Sequence, residues 1–219
     1  MCMKLPACPI LVAGEINADL ICQGYSEFPK PGREILVDQF SMTLGSASAI
    51  CAAGLARLGS PTAFVGKVGA DLWGDYCVAY LERLGVAVSR VMKDPALQTG
   101  ITISVSSEAD RALITYLGAI RALREEDIPD AMLAEFRHLH VSSYFLQEGL
   151  RPGLARLFGR ATALGLRTPA STLRRHGGRG LLRCWPRRMC FCRTRWNWRR
   201  LAGARMCWRR CRRSKTAVP

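Results

Sequence analysis

Apolar positions recur along the chain at two spacings. Ile10 to Gly14 is a short apolar run closed by glycine and predicts a buried strand. Ala47, Ile50, Cys51, Leu55 and Leu58 fall at helical intervals, and Gly59 stops them. Ala63 to Gly66 predicts a second buried strand. Asp71 then has the character of an N-cap for a helix with Leu72, Tyr76, Ala79 and Tyr80 on one face and Gly85 at its end. Val86 to Met92 predicts a strand. Pro129 suits the first turn of a helix carrying Leu133 and Phe136, and Leu139 to Ser143 predicts another strand. Leu150, Leu154, Leu157, Phe158, Ala161 and Leu164 form a strongly periodic helix closed by Gly165. Alternation of this kind predicts an α/β fold, a parallel sheet flanked by helices. Two stretches do not fit a sheet buried on both faces. Ile35, Val37 and Phe40 form one, and Ile101, Ile103 and Val105, alternating with Thr102, Ser104 and Ser106 and returning over Arg111 to Leu117, form the other. They predict a small antiparallel flap beside the main sheet.

Charge divides the chain. The 219 residues carry a net charge of +15, but its distribution is lopsided. Residues 1–166 hold 15 Lys and Arg and all 17 Asp and Glu. Residues 167–219 hold 16 Arg, one Lys and no acid, with four of the five Trp and five of the ten Cys. Folded surfaces normally intersperse both signs. The α/β pattern also stops here, because Thr168-Pro169-Ala170-Ser171 lacks the apolar character of a following strand. The longest uncharged run, Gln39 to Ala56, is rich in Ser, Thr, Gly and Ala, so no membrane span is expected. Only Lys4 precedes a short apolar run and Glu15 follows closely, so no signal peptide is expected and the location is expected to be cytoplasmic.

Three segments could carry chemistry. Gly14-Glu15-Ile16-Asn17-Ala18-Asp19 lies at the carboxyl end of the first strand, where open α/β sheets place ligands. Asn17 and Asp19 point the same way on an extended segment and could bind adjacent hydroxyls of a polyol, or they could cap a loop. Leu44-Gly45-Ser46-Ala47-Ser48-Ala49 enters the first helix, and its small residues either present N–H groups to a ligand or allow a tight helix–sheet contact. Gly66-Lys67-Val68-Gly69-Ala70-Asp71-Leu72-Trp73-Gly74 is glycine-rich but lacks the Gly-Lys-Ser/Thr ending of a phosphate loop.

In their order, these segments resemble the PfkB, or ribokinase-like, family of carbohydrate kinases. The resemblance rests on Gly-x-x-Asn-x-Asp at 14–19, the Gly-small-small helix start at 45–49 ending in Ala-Arg-Leu-Gly at 56–59, and Gly-Lys-Val-Gly-x-Asp-x-x-Gly at 66–74. Thr99-Gly100 and His138-Leu139-His140-Val141-Ser142-Ser143 support it, and it covers residues of about 9 to 166. It implies the N-terminal part of a ribokinase-like domain over residues 1–166, with β-lid segments at about 19–40 and 99–118. It further implies ATP-dependent phosphoryl transfer to a sugar hydroxyl, Mg2+, a small-molecule sugar substrate and a homodimer formed through the lid. Asn17, Asp19, Gly45 and Ser46 would be the substrate-binding residues. Some features depart from the family. Its Gly-Gly pair is Gly45-Ser46 here, and its frequent Asn five residues after Gly45 is Ile50. No Gly-Ala-Gly-Asp occurs, the motif that supplies the family's anion hole and catalytic Asp, so no catalytic residue and no nucleotide-binding residue is assigned.

The tail over residues 167–219 is expected to be disordered and read out of frame. Taking the third base of each codon with the first two of the next, Met189-Cys190 forces Val and Phe191-Cys192 forces Leu. Likewise Trp196-Asn197 forces Glu and Asn197-Trp198 forces Leu. The intervening positions permit Val-Phe-Leu-Pro-Asn-Glu-Val-Glu-Leu, which resembles a Leu-Pro-Asn-x-x-Glu segment of the same family. The alternative is a non-enzymatic basic module, in which the interleaved Arg and Trp bind nucleic acid or an anionic membrane without sequence preference. Cys184, Cys190, Cys192, Cys207 and Cys211 lack the paired spacing of a zinc site, so no metal is assigned. Cys8, Cys22, Cys51 and Cys77 are expected as small buried residues, and His138 and His140 as core or strand-end packing.

Overall fold

The computed structural model describes residues 9–107 and 110–168. Four parallel strands form the main sheet: β1 (Ile10–Ala13), β4 (Thr62–Gly69), β5 (Ala87–Asp94) and β8 (His138–Val141), in the spatial order β5-β4-β1-β8. Each β1 residue has a partner on both sides, Leu11 lying between Ala63 and Leu139. Helices α1 (Ala47–Arg57) and α2 (Leu72–Arg83) pack on this sheet and against each other, and α4 (Leu154–Ala163) packs against α3 (Asp130–Leu133), a single turn. Leu11, Val12, Phe64, Val65 and Leu139 are wholly buried, as expected for central parallel strands.

Helices α1 and α2 bury different faces from those their apolar spacing predicts. In α1 the buried residues are Ser48, Ala49, Ala52 and Ala53, while Ile50 is 56% exposed and Leu58 84%. In α2 they are Gly74, Cys77 and Leu81, and Leu72 is exposed. The reason is close approach. A side chain at Gly74 would run into the carbonyl of Gly69, so the start of α2 meets the end of β4 through a glycine. Tyr76 and Tyr80 pack together at the flank, 5.6 Å between ring centres, and the Tyr76 hydroxyl donates to the Met42 carbonyl at 3.1 Å. Helix α4 follows its periodicity: Leu154, Leu157, Phe158 and Ala161 are buried. Cys77 is fully buried, and burial above all pushes its thiol up to about 12. Cys22 and Cys51 are only half-buried, and Cys8 lies outside the described residues.

A second sheet carries β2 (Asn17–Gln23), β3 (Gln39–Leu44), β6 (Gly100–Ser106) and β7 (Arg111–Tyr116) in the order β3-β2-β6-β7. It is mixed rather than purely antiparallel, because β2 and β6 run parallel between two antiparallel neighbours. Residues 33–38 belong to no strand. The register sorts the side chains of this lid onto two faces. Asp19, Thr43, Thr102 and Thr115 lie across one, and Leu20, Met42, Ile103 and Ile114 lie across the other. The alternation in β6 therefore works in the sense opposite to a usual half-exposed strand: Thr102 and Ser104 are buried while Ile103 is 38% exposed.

The chain returns to the main sheet just after the compositional break. Arg167 pairs in parallel with His138, Leu139 N–H donates to Arg167 O at 2.9 Å, and Thr168 is fully buried. The start of a further strand beside β8 is thus present where the local sequence gives no apolar signal. The rest of the arginine-rich tail, with its Trp residues and five cysteines, lies outside the described residues. No helix among the described residues is long and apolar enough to cross a membrane.

Candidate functional site

The sheet order places β1 at a reversal. From β1 the chain builds β4 and β5 on one side and later adds β8 on the other. The crevice outside the carboxyl ends of β1 and β8 is the topological switch point, the usual ligand position in an open α/β sheet. Three turns meet there: residues 14–16 leaving β1, residues 45–46 entering α1, and residues 142–147 leaving β8.

Asn17 and Asp19 stand on the same face of β2, as an extended backbone requires. The Asn17 side-chain amide donates to Asp19 Oδ1 at 2.8 Å and to Thr102 Oγ1 at 3.1 Å, and Thr102 in turn contacts Thr115 Oγ1 at 3.1 Å. Burial raises the Asp19 carboxyl above the usual carboxylate range. Hydrogen bonds from Asn17 and Thr102 and the charge of Arg111 offset part of that rise. Gly45 closes the arrangement from below. Its N–H donates to the Asn17 carbonyl at 2.8 Å, and a Cβ at this position would lie 2.5 Å from Asp19 Cγ and 2.7 Å from Asn17 Nδ2. The result is a shelf of acceptors and donors packed directly over a glycine, suited chemically to hydroxyl groups.

Ser46, expected among the ligand contacts, is bonded within the protein. It sits in the left-handed region at φ 77°, as the second glycine of the family's pair could do without strain. Its hydroxyl donates to the Glu15 carbonyl and accepts from the Ala49 N–H at 3.3 Å, so it caps α1. The free N–H groups expected at this helix start are also engaged internally, because Ser48 N–H donates to Glu15 Oε1 at 3.1 Å.

Sequence reasoning missed the network around Glu15. This carboxylate is 2% exposed. Its Oε2 accepts from Ser48 Oγ at 2.6 Å and from the Gln147 amide at 3.3 Å, and Ser48 Oγ lies 2.7 Å from Ser142 Oγ. The only available signal was an acidic residue directly after a buried apolar strand; Ser142 and Gln147 gave none. Thr102 and Thr115 were legible only as the polar half of an alternating pattern. His138 and His140 are half-buried, and burial foremost lowers the pKa of each.

The Gly66–Gly74 run is a structural joint. Asp71 caps α2 by accepting from Gly74 N–H at 2.8 Å and also accepts from the Thr99 N–H and hydroxyl, each at 2.7 Å. Burial raises the Asp71 carboxyl, but these hydrogen bonds outweigh it and leave the group below its ordinary value. Gly69 N–H donates to Thr99 Oγ1 at 2.9 Å. A carboxylate and a hydroxyl of the protein thus hold the N–H groups that a phosphate would need, and the segment does not fit a triphosphate. Among the described residues no group of three or more His, Cys, Asp or Glu side chains is placed to hold a metal ion.

Comparison with known proteins bears on this geometry. Residues 9–166 match the family model of the pfkB family carbohydrate kinases. A deoxyribokinase of Salmonella typhi is 30% identical over 123 residues, 56% of this chain and 40% of that protein. A 5-dehydro-2-deoxygluconokinase of Geobacillus kaustophilus is 30% identical over 136 residues, 60% of this chain and 39% of that protein. The chain thus spans about two fifths of the length of these relatives. A crystal structure of fructokinase with bound ATP from Xylella fastidiosa superposes with a TM-score of 0.61 at 24% identity, covering 74% of this chain and 50% of that one.

Proposed function

The chain belongs to the pfkB family of carbohydrate kinases, and from that premise we propose that its Asn17–Asp19–Gly45 shelf binds the hydroxyls of a sugar or sugar-like polyol, the acceptor of an ATP-dependent phosphoryl transfer. The observation that carries the reading is the absence of room for any side chain at Gly45 beneath two polar side chains already hydrogen-bonded to each other. Asp19 would accept from two adjacent hydroxyls. Asn17, held by Asp19 and Thr102, would orient the ring. The deoxyribokinase and 5-dehydro-2-deoxygluconokinase relatives support a deoxygenated pentose or hexose derivative as the class to try first.

ATP and Mg2+ belong to the family's reaction, and the Xylella fastidiosa fructokinase holds ATP. The described residues contain no set of donors that fits the triphosphate, so no step is assigned through it. In our reading this chain is cytoplasmic, carries the acceptor half of the site and is inactive as a phosphotransferase, with a tail read out of frame. The lid would pair with the lid of a second copy through its apolar face.

Titration calorimetry of the full chain with 2-deoxyribose, ribose, fructose and an aldonic acid tests the acceptor reading. Saturable binding of at least one, weakened tenfold or more by Asn17→Ala or Asp19→Ala, is expected. No binding of any sugar would overturn it. Sugar-dependent ADP formation from ATP by this same chain would overturn the inactive reading. A coding sequence in which one inserted or deleted base near codon 166 opens no longer kinase-like frame would overturn the frame reading.

A further inference from the structure

Among the described residues, two non-glycine residues occupy the left-handed region: Ser46 at φ 77° and Ser143 at φ 51°. They lie in different parts of the sequence, one before α1 and one after β8, yet both turns border the same crevice at the switch point. Residues in this region persist only where their surroundings over-determine them. The Ser46 hydroxyl bonds to Glu15 directly, and the residues flanking Ser143 reach Glu15 through Gln147 and through Ser142 and Ser48.

An ionised carboxylate only accepts. Ser48 Oγ has one proton, and it goes to Glu15 Oε2 at 2.6 Å. Ser48 Oγ therefore accepts from Ser142 Oγ at 2.7 Å. The Gln147 amide gives one proton to Glu15 Oε2 and its other to the Ser142 carbonyl. Ser48 N–H fills Oε1. On the opposite side of the residue, the Glu15 main-chain carbonyl takes the Ser46 hydroxyl proton. Bonds from the Ser46 turn, from the start of α1 and from the 142–147 turn thus meet at one buried residue, two positions before Asn17.

We propose that Glu15 is a positioning residue for the acceptor site, clamping the Ser46 and Ser143 turns across the switch point and thereby fixing the shelf on one side and the 142–147 wall on the other. This rests on the acceptor reading given above. A glutamine at 15 keeps the size but offers an acceptor oxygen at only one of the two carboxylate positions, so its NH2 group faces either the Ser48 N–H or the Ser48 hydroxyl and Gln147 amide, donor against donor, and the clamp weakens.

The test uses the full chain with two independent readouts. Glu15→Gln should weaken binding of the best sugar of the panel at least tenfold. It should also speed amide hydrogen exchange at Ser48 and across residues 142–147 at least tenfold without sugar present. Adding Ser143→Gly to Glu15→Gln, which removes the need to hold a strained residue, should recover at least threefold of the lost affinity. Unchanged affinity and exchange in Glu15→Gln would overturn the proposal, and so would lost affinity with unchanged exchange in the 142–147 turn. If Glu15→Gln does not fold, Gln147→Leu with Ser142→Ala removes the far arm while keeping the carboxylate. That variant must show the same loss, and parental affinity would overturn the proposal. Should the parent bind no sugar, the acceptor reading fails by itself, and the clamp is judged by exchange alone.

Discussion

Gly45→Ala adds one methyl group at the point where β3 turns into α1. The backbone there does not require glycine for its φ, since Gly45 is not in the left-handed region, so the effect is one of space alone. The added carbon would meet the Asp19 carboxylate at 2.5 Å from Cγ and the Asn17 amide at 2.7 Å. Neither can swing away freely, because Asn17 is held by Asp19 and Thr102, and the Gly45 N–H is bonded to the Asn17 carbonyl. Forcing a methyl into such a contact costs about 1–3 kcal/mol. For a chain of this size each kcal/mol lowers the melting temperature by roughly 2–4 °C. Gly54→Ala is the matched control: this glycine lies inside α1 with nothing within 4 Å of an added Cβ. It should gain about 0.5–1 kcal/mol from helix propensity. Thermal melting of the two variants, followed by calorimetric sugar titration, checks the argument. Gly45→Ala should melt below the parent and bind sugar at least tenfold more weakly, while Gly54→Ala should melt above it and bind normally. If Gly45→Ala melts with the parent and binds equally well, the packed shelf is wrong.

Asp19→Asn separates function from stability. Burial raises the Asp19 pKa in the folded state, so the parent should lose stability as pH rises from about 4 through that raised value, and the variant should not; a parallel fall in both chains, measured by denaturant unfolding across pH, would refute this. Asp71→Asn has the opposite sign. The folded pKa is lowered, so the stabilisation present above about 4 disappears as pH falls through the lowered value, and the deficit of the variant should shrink there. A deficit that stays constant with pH would show that the charge is not what matters. Ile114→Glu, on the apolar lid face where Ile114 is 62% exposed, should convert a dimer to a monomer in sedimentation, and a parent already monomeric at tens of micromolar would refute lid pairing. Leu157→Ala, on the buried face of α4, should cost about 2–5 kcal/mol through the cavity it leaves, read by urea unfolding.

The alternation of short apolar runs with helical periods was enough to specify a parallel α/β sheet, because strands buried on both faces must be apolar throughout. Helix ends were equally legible: Gly59, Gly85 and Gly165 all adopt the left-handed conformation that stops a helix. Asn17 and Asp19 on one face followed from the period of an extended chain. Three things depended on the tertiary structure. Which face a helix buries was decided by how closely its backbone must approach the sheet. Ser48, Ala49 and Gly74 went inward for that reason, and Ile50 and Leu72 went out. The sense of the lid was decided by what lies on each side of it, so the buried Thr102 faces the shelf and Ile103 faces out. The Glu15 network was decided by the sheet order, which brings residues 15, 48, 142 and 147 together across the switch point. No local pattern announces contacts between residues separated by 94 and 132 positions along the chain. Periodicity reports only the environment that neighbours in sequence share. The partner of a single polar side chain is set by the path the chain takes between them.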